Sequence, residues 1–324
     1  MMKKTCLNLF LLICSCSNLV FAQQTPEKLI IEQNYLLSLP EGYQQDSLKK
    51  FPLVLFLHGS GERGNDLEKV KINGIPKLVE AGKKFPFILV SPQAHANEGW
   101  ESKDLMRLMQ SLQKKYRIDE DRLYLTGLSM GGYGSWDMAI KYPGLFAAVI
   151  PVCGGGDSSK VWLLRNTPTW VFHGAKDDAV PLKASQEMVD ALRHHNPSVK
   201  FTVYPDAGHD SWTAAYQTDS LYTWMLSQKK FKYSQITLAK ADLERHQGYY
   251  VNSLRNDTIK VDAGSGVLIG TMRNHRVEIK PYQENKFFIR ESDPVDIVFS
   301  GKKRKRQFVI NDERQYVYKL IKKE

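Results

Sequence analysis

Between residues 35 and 228, short apolar runs alternate with helix-like segments, and this alternation restricts the fold more than any other feature. Runs that are apolar on both faces are typical of central strands in a parallel sheet. Between two of them, Leu105, Leu108 and Leu112 recur at helical spacing and give one apolar face. Strands that alternate with helices predict a doubly wound α/β sheet. The predicted strands are residues 51–57, 87–90, 122–127, 146–150, 169–172 and 201–204.

The pattern changes near residue 230, and from residue 244 onward the sequence shows no convincing helix. Short alternating runs separated by turn residues are typical of a small antiparallel β sandwich or barrel. We therefore predict an α/β domain over residues 23–230 and a small β domain over residues 231–324. The predicted strands of the second domain are residues 258–261, 267–269, 276–279, 287–289, 297–299 and 316–318.

Residues 1–22 have the layout of a secretory signal peptide: Lys3 and Lys4, an apolar stretch, and Ala22 at the predicted cleavage point. The apolar stretch is shorter than the roughly 20 residues that a membrane-spanning helix needs. We therefore expect an exported protein, periplasmic or extracellular, with no transmembrane segment. The residues before Cys16 loosely resemble a lipobox, so a lipid anchor stays open as an alternative.

Cleavage after Ala22 removes three of the four cysteines and leaves Cys153, so no internal disulfide is expected. The formal net charge is +10, and 19 of the 45 Lys and Arg residues lie from Phe231 onward. Such an excess suits nucleic acid, anionic lipid or acidic polysaccharide, and export disfavours nucleic acid. The basic run over residues 302–306 is either a solvated turn or a docking surface for anionic polymer.

The segment Gly127-Leu128-Ser129-Met130-Gly131 follows one predicted strand and precedes a helical pattern. Glycines on both sides allow a sharp strand-to-helix turn that exposes the Ser129 hydroxyl near the positive end of the helix dipole. Ser129 is therefore the candidate nucleophile.

A serine hydroxyl needs a base to remove its proton, and the base needs an acid to orient it. In folds with this turn, the acid and then the histidine follow the serine along the chain. Asp177 and His209 each follow a later predicted strand in that order, with Asp178 as the alternative acid. His58 and His173 precede glycines at strand ends, where we expect them to brace loops. No histidine pair has a metal-ligand spacing with a carboxylate, so no metal site is expected.

A negatively charged tetrahedral intermediate needs N–H donors that are already in place. The backbone N–H of Met130, directly after the serine, is one candidate. The glycine-rich loop after the first long apolar run suggests the N–H of Ser60 as the second, since glycines permit a close backbone approach.

With these residues in place, residues 35–226 resemble α/β-hydrolase esterases of the bacterial phospholipase/carboxylesterase and dienelactone-hydrolase type, and also feruloyl and acetyl-xylan esterases. The motifs that carry the resemblance are His58-Gly59-Ser60-Gly61-Glu62-Arg63-Gly64, Gly127-Leu128-Ser129-Met130-Gly131-Gly132, His173-Gly174-Ala175-Lys176-Asp177 and Gly208-His209-Asp210-Ser211-Trp212. The resemblance implies the same triad, no cofactor, and a leaving group bound near Trp212. We also expect Trp100 and Glu62 to take part in substrate binding.

Residues 243–250, with the sequence Leu-Glu-Arg-His-Gln-Gly-Tyr-Tyr, resemble the start of a small lipocalin-like β domain found on secreted bacterial proteins. Such a domain is not expected on these esterases, so its role stays open. The esterase resemblance, the predicted signal peptide and the lack of room for an inserted lid between residues 150 and 169 favour a secreted serine ester hydrolase that acts on ester-decorated polysaccharide or small esters. A serine peptidase of the prolyl-peptidase type and a non-catalytic binding module stay open as alternatives, because fold alone does not separate these functions.

Overall fold

A computed structural model of the protein describes residues 33–291, 295–302, 305–312 and 314–322. The predicted signal peptide and the alternative lipid anchor lie outside the described residues. Residues Gln33–Glu324 form one compact unit. Within the described part of the chain, no helix has the length and apolarity needed to cross a bilayer.

The first part of this unit contains a seven-stranded sheet in the order β1-β3-β2-β4-β5-β6-β7. Strand β1 runs antiparallel to β3, and the remaining pairs are parallel. The predicted α/β class is therefore confirmed. The strands are β1 (Tyr35–Ser38), β2 (Phe51–Leu57), β3 (Ile88–Pro92), β4 (Ile118–Leu128), β5 (Ala148–Val152), β6 (Trp170–Gly174) and β7 (Lys200–Tyr204).

Helices cover both faces of this sheet. On one side α2, α3 and α4 pack on the sheet, and on the other side α1, α5 and α6 do so. The helices are α1 (Gly74–Glu80), α2 (Ser102–Lys115), α3 (Met130–Lys141), α4 (Leu182–Arg193), α5 (Trp212–Gln217) and α6 (Asp219–Ser227). Three short 3₁₀ segments, Ser60–Glu62, Leu67–Lys71 and Ser158–Leu164, complete the α/β part.

Strand β2 shows why the sequence folds in this way. All seven of its residues are buried. Because successive side chains point to opposite faces, Leu53 and Leu55 enter one core, whereas Val54 and Phe56 enter the other. Full burial of such a side chain contributes about 1.5–3 kcal/mol. A strand that is apolar on both faces is therefore stable only between two layers of helices.

The second part is a closed eight-stranded antiparallel barrel, so of the two predicted β architectures the barrel is the observed one. The short helix α7 (Lys240–Glu244) precedes it. Its strands are β8 (Gly248–Asn252), β9 (Asp257–Ala263), β10 (Leu268–Met272), β11 (His275–Gln283), β12 (Lys286–Phe288), β13 (Asp296–Ser300), β14 (Gln307–Asn311) and β15 (Gln315–Lys322). Aromatic side chains dominate the interior; Phe287 is fully buried, and Phe299 and Phe308 are nearly so.

A buried carboxylate links the barrel to the α/β part. Asp296, at the start of β13, is 4% exposed and accepts a hydrogen bond of 2.9 Å from the Arg165 guanidinium, just beyond the third 3₁₀ segment. The same carboxylate accepts bonds from the Tyr282 hydroxyl (2.6 Å) and the Asn311 amide (2.9 Å). Burial and the bond to Asp296 raise the pKa of Tyr282, so its hydroxyl stays protonated and donates. A buried charge tolerates such a position only when it is paired and hydrogen-bonded.

Replacing Asp296 with Ala should destabilise the protein strongly, because Arg165, Tyr282 and Asn311 then lose a shared buried acceptor. Breaking a buried ion pair costs about 3–5 kcal/mol in the free energy of unfolding, measured by urea denaturation. The matched control is Asp190→Ala, which removes an exposed partner of Arg193 and should change stability by less than about 0.5 kcal/mol. Equal effects of the two variants would contradict this account of the contact.

Candidate active site

Ser129 occupies a strained turn between β4 and α3. Its φ of 53° and ψ of −116° lie outside the regions that L-residues prefer, at a cost of about 1–3 kcal/mol. Gly127 and Gly131 make the turn possible. A Cβ on Gly127 would lie 2.3 Å from the Gly131 carbonyl oxygen, and one on Gly131 would lie 2.0 Å from the Leu57 carbonyl oxygen. The glycines therefore allow the turn to approach the end of β2.

The turn brings the Ser129 hydroxyl to a histidine and an aspartate from two later loops. His209 Nε2 lies 2.9 Å from Ser129 Oγ. His209 Nδ1 lies 2.9 Å from Asp177 Oδ2 and 3.0 Å from Asp177 Oδ1. The carboxylate accepts a hydrogen bond from Nδ1–H, so Nε2 carries no proton and can accept the proton of Ser129. The structure thus brings together the three residues that the sequence analysis singled out.

Asp177 is held as an ionised acceptor. Burial raises its pKa, but the bond from His209 and those from the amides of Val180 (2.8 Å) and Ala179 (3.0 Å) outweigh burial, so the net pKa lies below its ordinary value. The alternative acid, Asp178, is exposed. The structure therefore places Asp177, and not Asp178, against the histidine.

His173 contacts the loop that carries Asp177. Its Nε2 lies 2.9 Å from the Val180 carbonyl oxygen and 3.3 Å from Asp177 Oδ2. Because both neighbours are acceptors, Nε2 carries a proton, and Nδ1 lies 2.7 Å from the Ser185 hydroxyl oxygen, which in turn donates to the Gly154 carbonyl oxygen. This geometry fits the predicted loop-bracing role.

The two predicted oxyanion donors, the N–H groups of Met130 and Ser60, belong to the backbone segments next to Ser129. Met130 is the first residue of α3, and the first N–H groups of a helix have no partner within it. Ser60 begins the 3₁₀ segment after β2. The preceding Gly59 lies so close that a Cβ there would be 3.6 Å from the Ser129 Cβ. The two N–H groups therefore belong to backbone segments that meet at the serine.

A neutral histidine fixes the loop that carries Ser60. Burial lowers the pKa of His58, and its Nδ1–H donates to the Gly59 carbonyl oxygen at 2.5 Å while Nε2 accepts from the Ala94 amide at 3.0 Å. Trp100 packs its ring 4.7 Å from the His58 ring and donates from Nε1 to the His58 carbonyl oxygen at 3.1 Å. These contacts favour a supporting role for Trp100 over contact with substrate.

A polar chain connects the same loop to the histidine. Glu62 is 5% exposed, and its Oε1 accepts a bond of 2.5 Å from the Asn73 amide. The Asn73 oxygen accepts from Trp212 Nε1 at 3.3 Å, and the Trp212 ring lies perpendicular to the His209 ring at 5.1 Å. Glu62, which the sequence suggested for substrate binding, is thus placed to position Trp212. Asn73 was not singled out from the sequence, because an asparagine just before a helix is typical of an ordinary cap.

Cys153 also lies beside the triad, which the sequence did not indicate. Potential ligand atoms of Cys153, Asp177 and His209 lie within 4.8 Å of one another. Burial raises the pKa of the Cys153 thiol to about 12, so the thiol is protonated at neutral pH. Because metals bind the thiolate, this trio is a poor metal site.

Comparison with known proteins agrees with this geometry. A family model described as "Putative esterase" matches residues 32–255, more than half of the chain. The chain belongs to the esterase family. The match includes Ser129, Asp177 and His209 and extends into the first strand of the barrel.

The chain matches only part of the length of each of these relatives. "Probable feruloyl esterase C" of Aspergillus terreus is 29% identical over 178 residues, which cover 51% of this chain and 62% of that protein. "Bifunctional acetylxylan esterase/xylanase XynS20E" of Neocallimastix patriciarum is 27% identical over 53% of this chain and 26% of its own. The solved structure of a thermostable esterase is 33% identical with a TM-score of 0.54, covering 61% of this chain and 60% of that one.

Asp177→Asn should lower kcat far more than Asp178→Asn, although both variants lose one negative charge. Asn at position 177 holds the imidazole of His209 in the wrong tautomer, which costs about 10⁴-fold in an established triad. The change at the exposed Asp178 should alter kcat by less than about twofold. Turnover of 4-nitrophenyl acetate by the two purified variants is the measurement. Equal losses would contradict the placement of the acid.

Asn73→Ala should reduce kcat by roughly tenfold with little change in KM, because Trp212 and Glu62 lose their shared partner and the ring packed on His209 is no longer held by a hydrogen bond. Asn65→Ala, at an exposed position of the same loop region, is the control and should behave as wild type. A pure increase in KM would assign Asn73 to substrate binding instead.

Proposed function

We propose that the protein is a serine carboxylic ester hydrolase that works through an acyl-enzyme. The observation that carries the proposal is the continuous hydrogen-bonded chain from Ser129 Oγ through the two nitrogens of His209 to Asp177. Membership of the esterase family supports it.

In the first half of the reaction, Ser129 Oγ attacks the ester carbonyl carbon while His209 Nε2 takes the hydroxyl proton. The carbonyl oxygen becomes negatively charged and accepts from the N–H groups of Ser60 and Met130. As the intermediate collapses, the bond to the leaving oxygen breaks and His209 returns its proton to the alcohol. Asp177 stabilises the imidazolium throughout, because it keeps its negative charge.

In the second half, His209 takes a proton from water and the resulting hydroxide attacks the acyl carbon. Collapse of the second intermediate breaks the bond to Ser129 Oγ, which recovers its proton from His209. The products are the free alcohol and the carboxylic acid. Each step uses residues that the chain itself supplies.

For the substrate, we propose ester-decorated polysaccharide, with feruloyl or acetyl groups as the acyl part. The names of the relatives support this class. A further support is the short connection between β5 and β6, which holds only the 3₁₀ segment Ser158–Leu164 and no inserted lid domain. An open site admits a polymer more readily than a lidded one. We further propose export of the protein, on the basis of the N-terminal Lys3, Lys4 and apolar run.

A panel of 4-nitrophenyl acetate, methyl ferulate, acetylated xylan and aminoacyl anilides tests this function. We expect hydrolysis of the esters and none of the anilides, in the presence or absence of a chelator. Ser129→Ala should reduce ester turnover by about 10³-fold or more while the circular dichroism spectrum stays unchanged. A variant that retains more than about a tenth of the activity would overturn the assignment, and preferential cleavage of anilides would indicate a peptidase.

A further inference from the structure

A cavity of about 560 Å³ lies where the barrel meets the α/β part. Its walls come from α3, from the segment around Ser158–Leu164, and from the hairpin between β14 and β15. Side chains that line it include Tyr133, Asp157, Lys160 and Leu163 of the α/β part, and Arg314 of the barrel. Ligand sites of this size are common at domain interfaces.

The cavity adjoins the reaction centre. Tyr133, in the first turn of α3, donates from its backbone N–H to the Ser129 carbonyl oxygen at 3.1 Å. Its side chain is 41% exposed. Gly155 forms part of the floor just beyond β5, and a Cβ there would lie 3.2 Å from the Tyr133 ring. Because Tyr133 lies one helical turn beyond Ser129 and lines the cavity, the cavity begins about 5 Å along α3 from the nucleophile.

Two of the three basic side chains that line the cavity are paired with carboxylates. Lys141 pairs with Asp137 at 2.9 Å, and Lys160 pairs with Asp157 at 3.4 Å. The guanidinium of Arg314 is exposed and makes no ion pair with any other residue that the structure describes. An arginine in this situation can take a carboxylate from a ligand through two parallel hydrogen bonds.

The position of Arg314 is set by the contact that joins the two parts of the protein. Asn311, at the end of β14, donates to Asp296, and Asp296 also binds Arg165 next to the cavity wall. The Gln315 amide donates to the Asn311 oxygen at 3.0 Å and closes the hairpin from the other side. The barrel therefore presents Arg314 to the cavity from a braced hairpin.

We propose that this cavity is a subsite for an acidic sugar of the polysaccharide, in which Arg314 binds the uronate carboxylate and the Tyr133 ring packs against the sugar. The proposal rests on the proposed function, since it names the substrate class of the same site. Tyrosine offers an apolar ring with a polar tip, which suits a sugar, and the paired residues Asp157 and Lys160 offer acceptors and donors to its hydroxyl groups. The barrel then contributes to substrate choice and not to the chemistry.

The test uses native glucuronoxylan and the same polymer with its uronic acids reduced to neutral sugars, each acetylated to the same degree. Wild type should have a KM for the carboxylate polymer about three to ten times lower than for the reduced one. Arg314→Gln should remove this difference and leave both kcat and the turnover of 4-nitrophenyl acetate unchanged. Arg276→Gln removes the same charge from an exposed barrel position outside the cavity and should keep the difference.

Calorimetric binding of ester-free glucuronoxylan oligosaccharides to the three proteins separates this proposal from the esterase proposal, because it needs no turnover. Wild type and the Arg276 variant should bind the acidic oligosaccharide more tightly than its reduced form, and the Arg314 variant should bind both equally. Equal binding of the two forms by wild type would overturn the subsite even if the esterase activity is present. Equal losses in the Arg314 and Arg276 variants would also overturn it and would indicate general attraction between charges.

Discussion

The active site depends on the close approach of two backbone segments. The start of α3 lies against the end of β2 so tightly that a single methyl group on Gly131 would collide with the Leu57 carbonyl oxygen. This approach forces Ser129 into its strained conformation and aims its hydroxyl away from the sheet. It also brings the start of α3 next to the loop that carries Ser60, because a Cβ on Gly59 would lie 3.6 Å from the Ser129 Cβ. The packing of the core therefore stabilises the strained backbone conformation of Ser129, and that conformation positions the nucleophilic hydroxyl.

Around this turn, buried polar side chains position one another through hydrogen bonds. The two loop histidines, His58 and His173, each have defined partners for both ring nitrogens. Such groups cost free energy when buried alone, so each is stable only in the geometry that satisfies it. Glu62 is less completely satisfied, since its Oε2 has no hydrogen-bond partner in the described part of the chain and lies 3.8 Å from His58 Nδ1. The hydrogen bond from Asn73 to Oε1 is what connects this carboxylate to Trp212, so the link depends on that one residue.

The sequence predicted the elements whose pattern is local and missed those that depend on distant partners. The buried strands β2, β3 and β5 are continuous apolar runs, and the residues that meet at the triad follow such runs in order. Strand β14 was missed because polar residues stand at both of its ends, and β1 because it is short and half-buried. The ion pair of Arg165 with Asp296 joins residues 131 positions apart, and no local pattern marks either partner. Asn73 was not singled out because an asparagine before a helix is typical of an ordinary cap, and its two partners belong to other segments of the chain.

The ion pair between Arg165 and Asp296 also bears on the domain boundary that the sequence pattern predicts near residue 230. By pattern, the chain divides there into an α/β part and a β part. The contacts nevertheless join the two parts. Asp296 is buried and Arg165 is nearly buried, and a buried charge is stable only with its partner. Desolvation offsets much of the attraction, so the pair adds little net stability and instead penalises every other orientation of the barrel. A barrel that was only a tethered neighbour would need no such contact. A fixed contact of this kind is what a domain requires if it is to add residues to a site that it does not itself build.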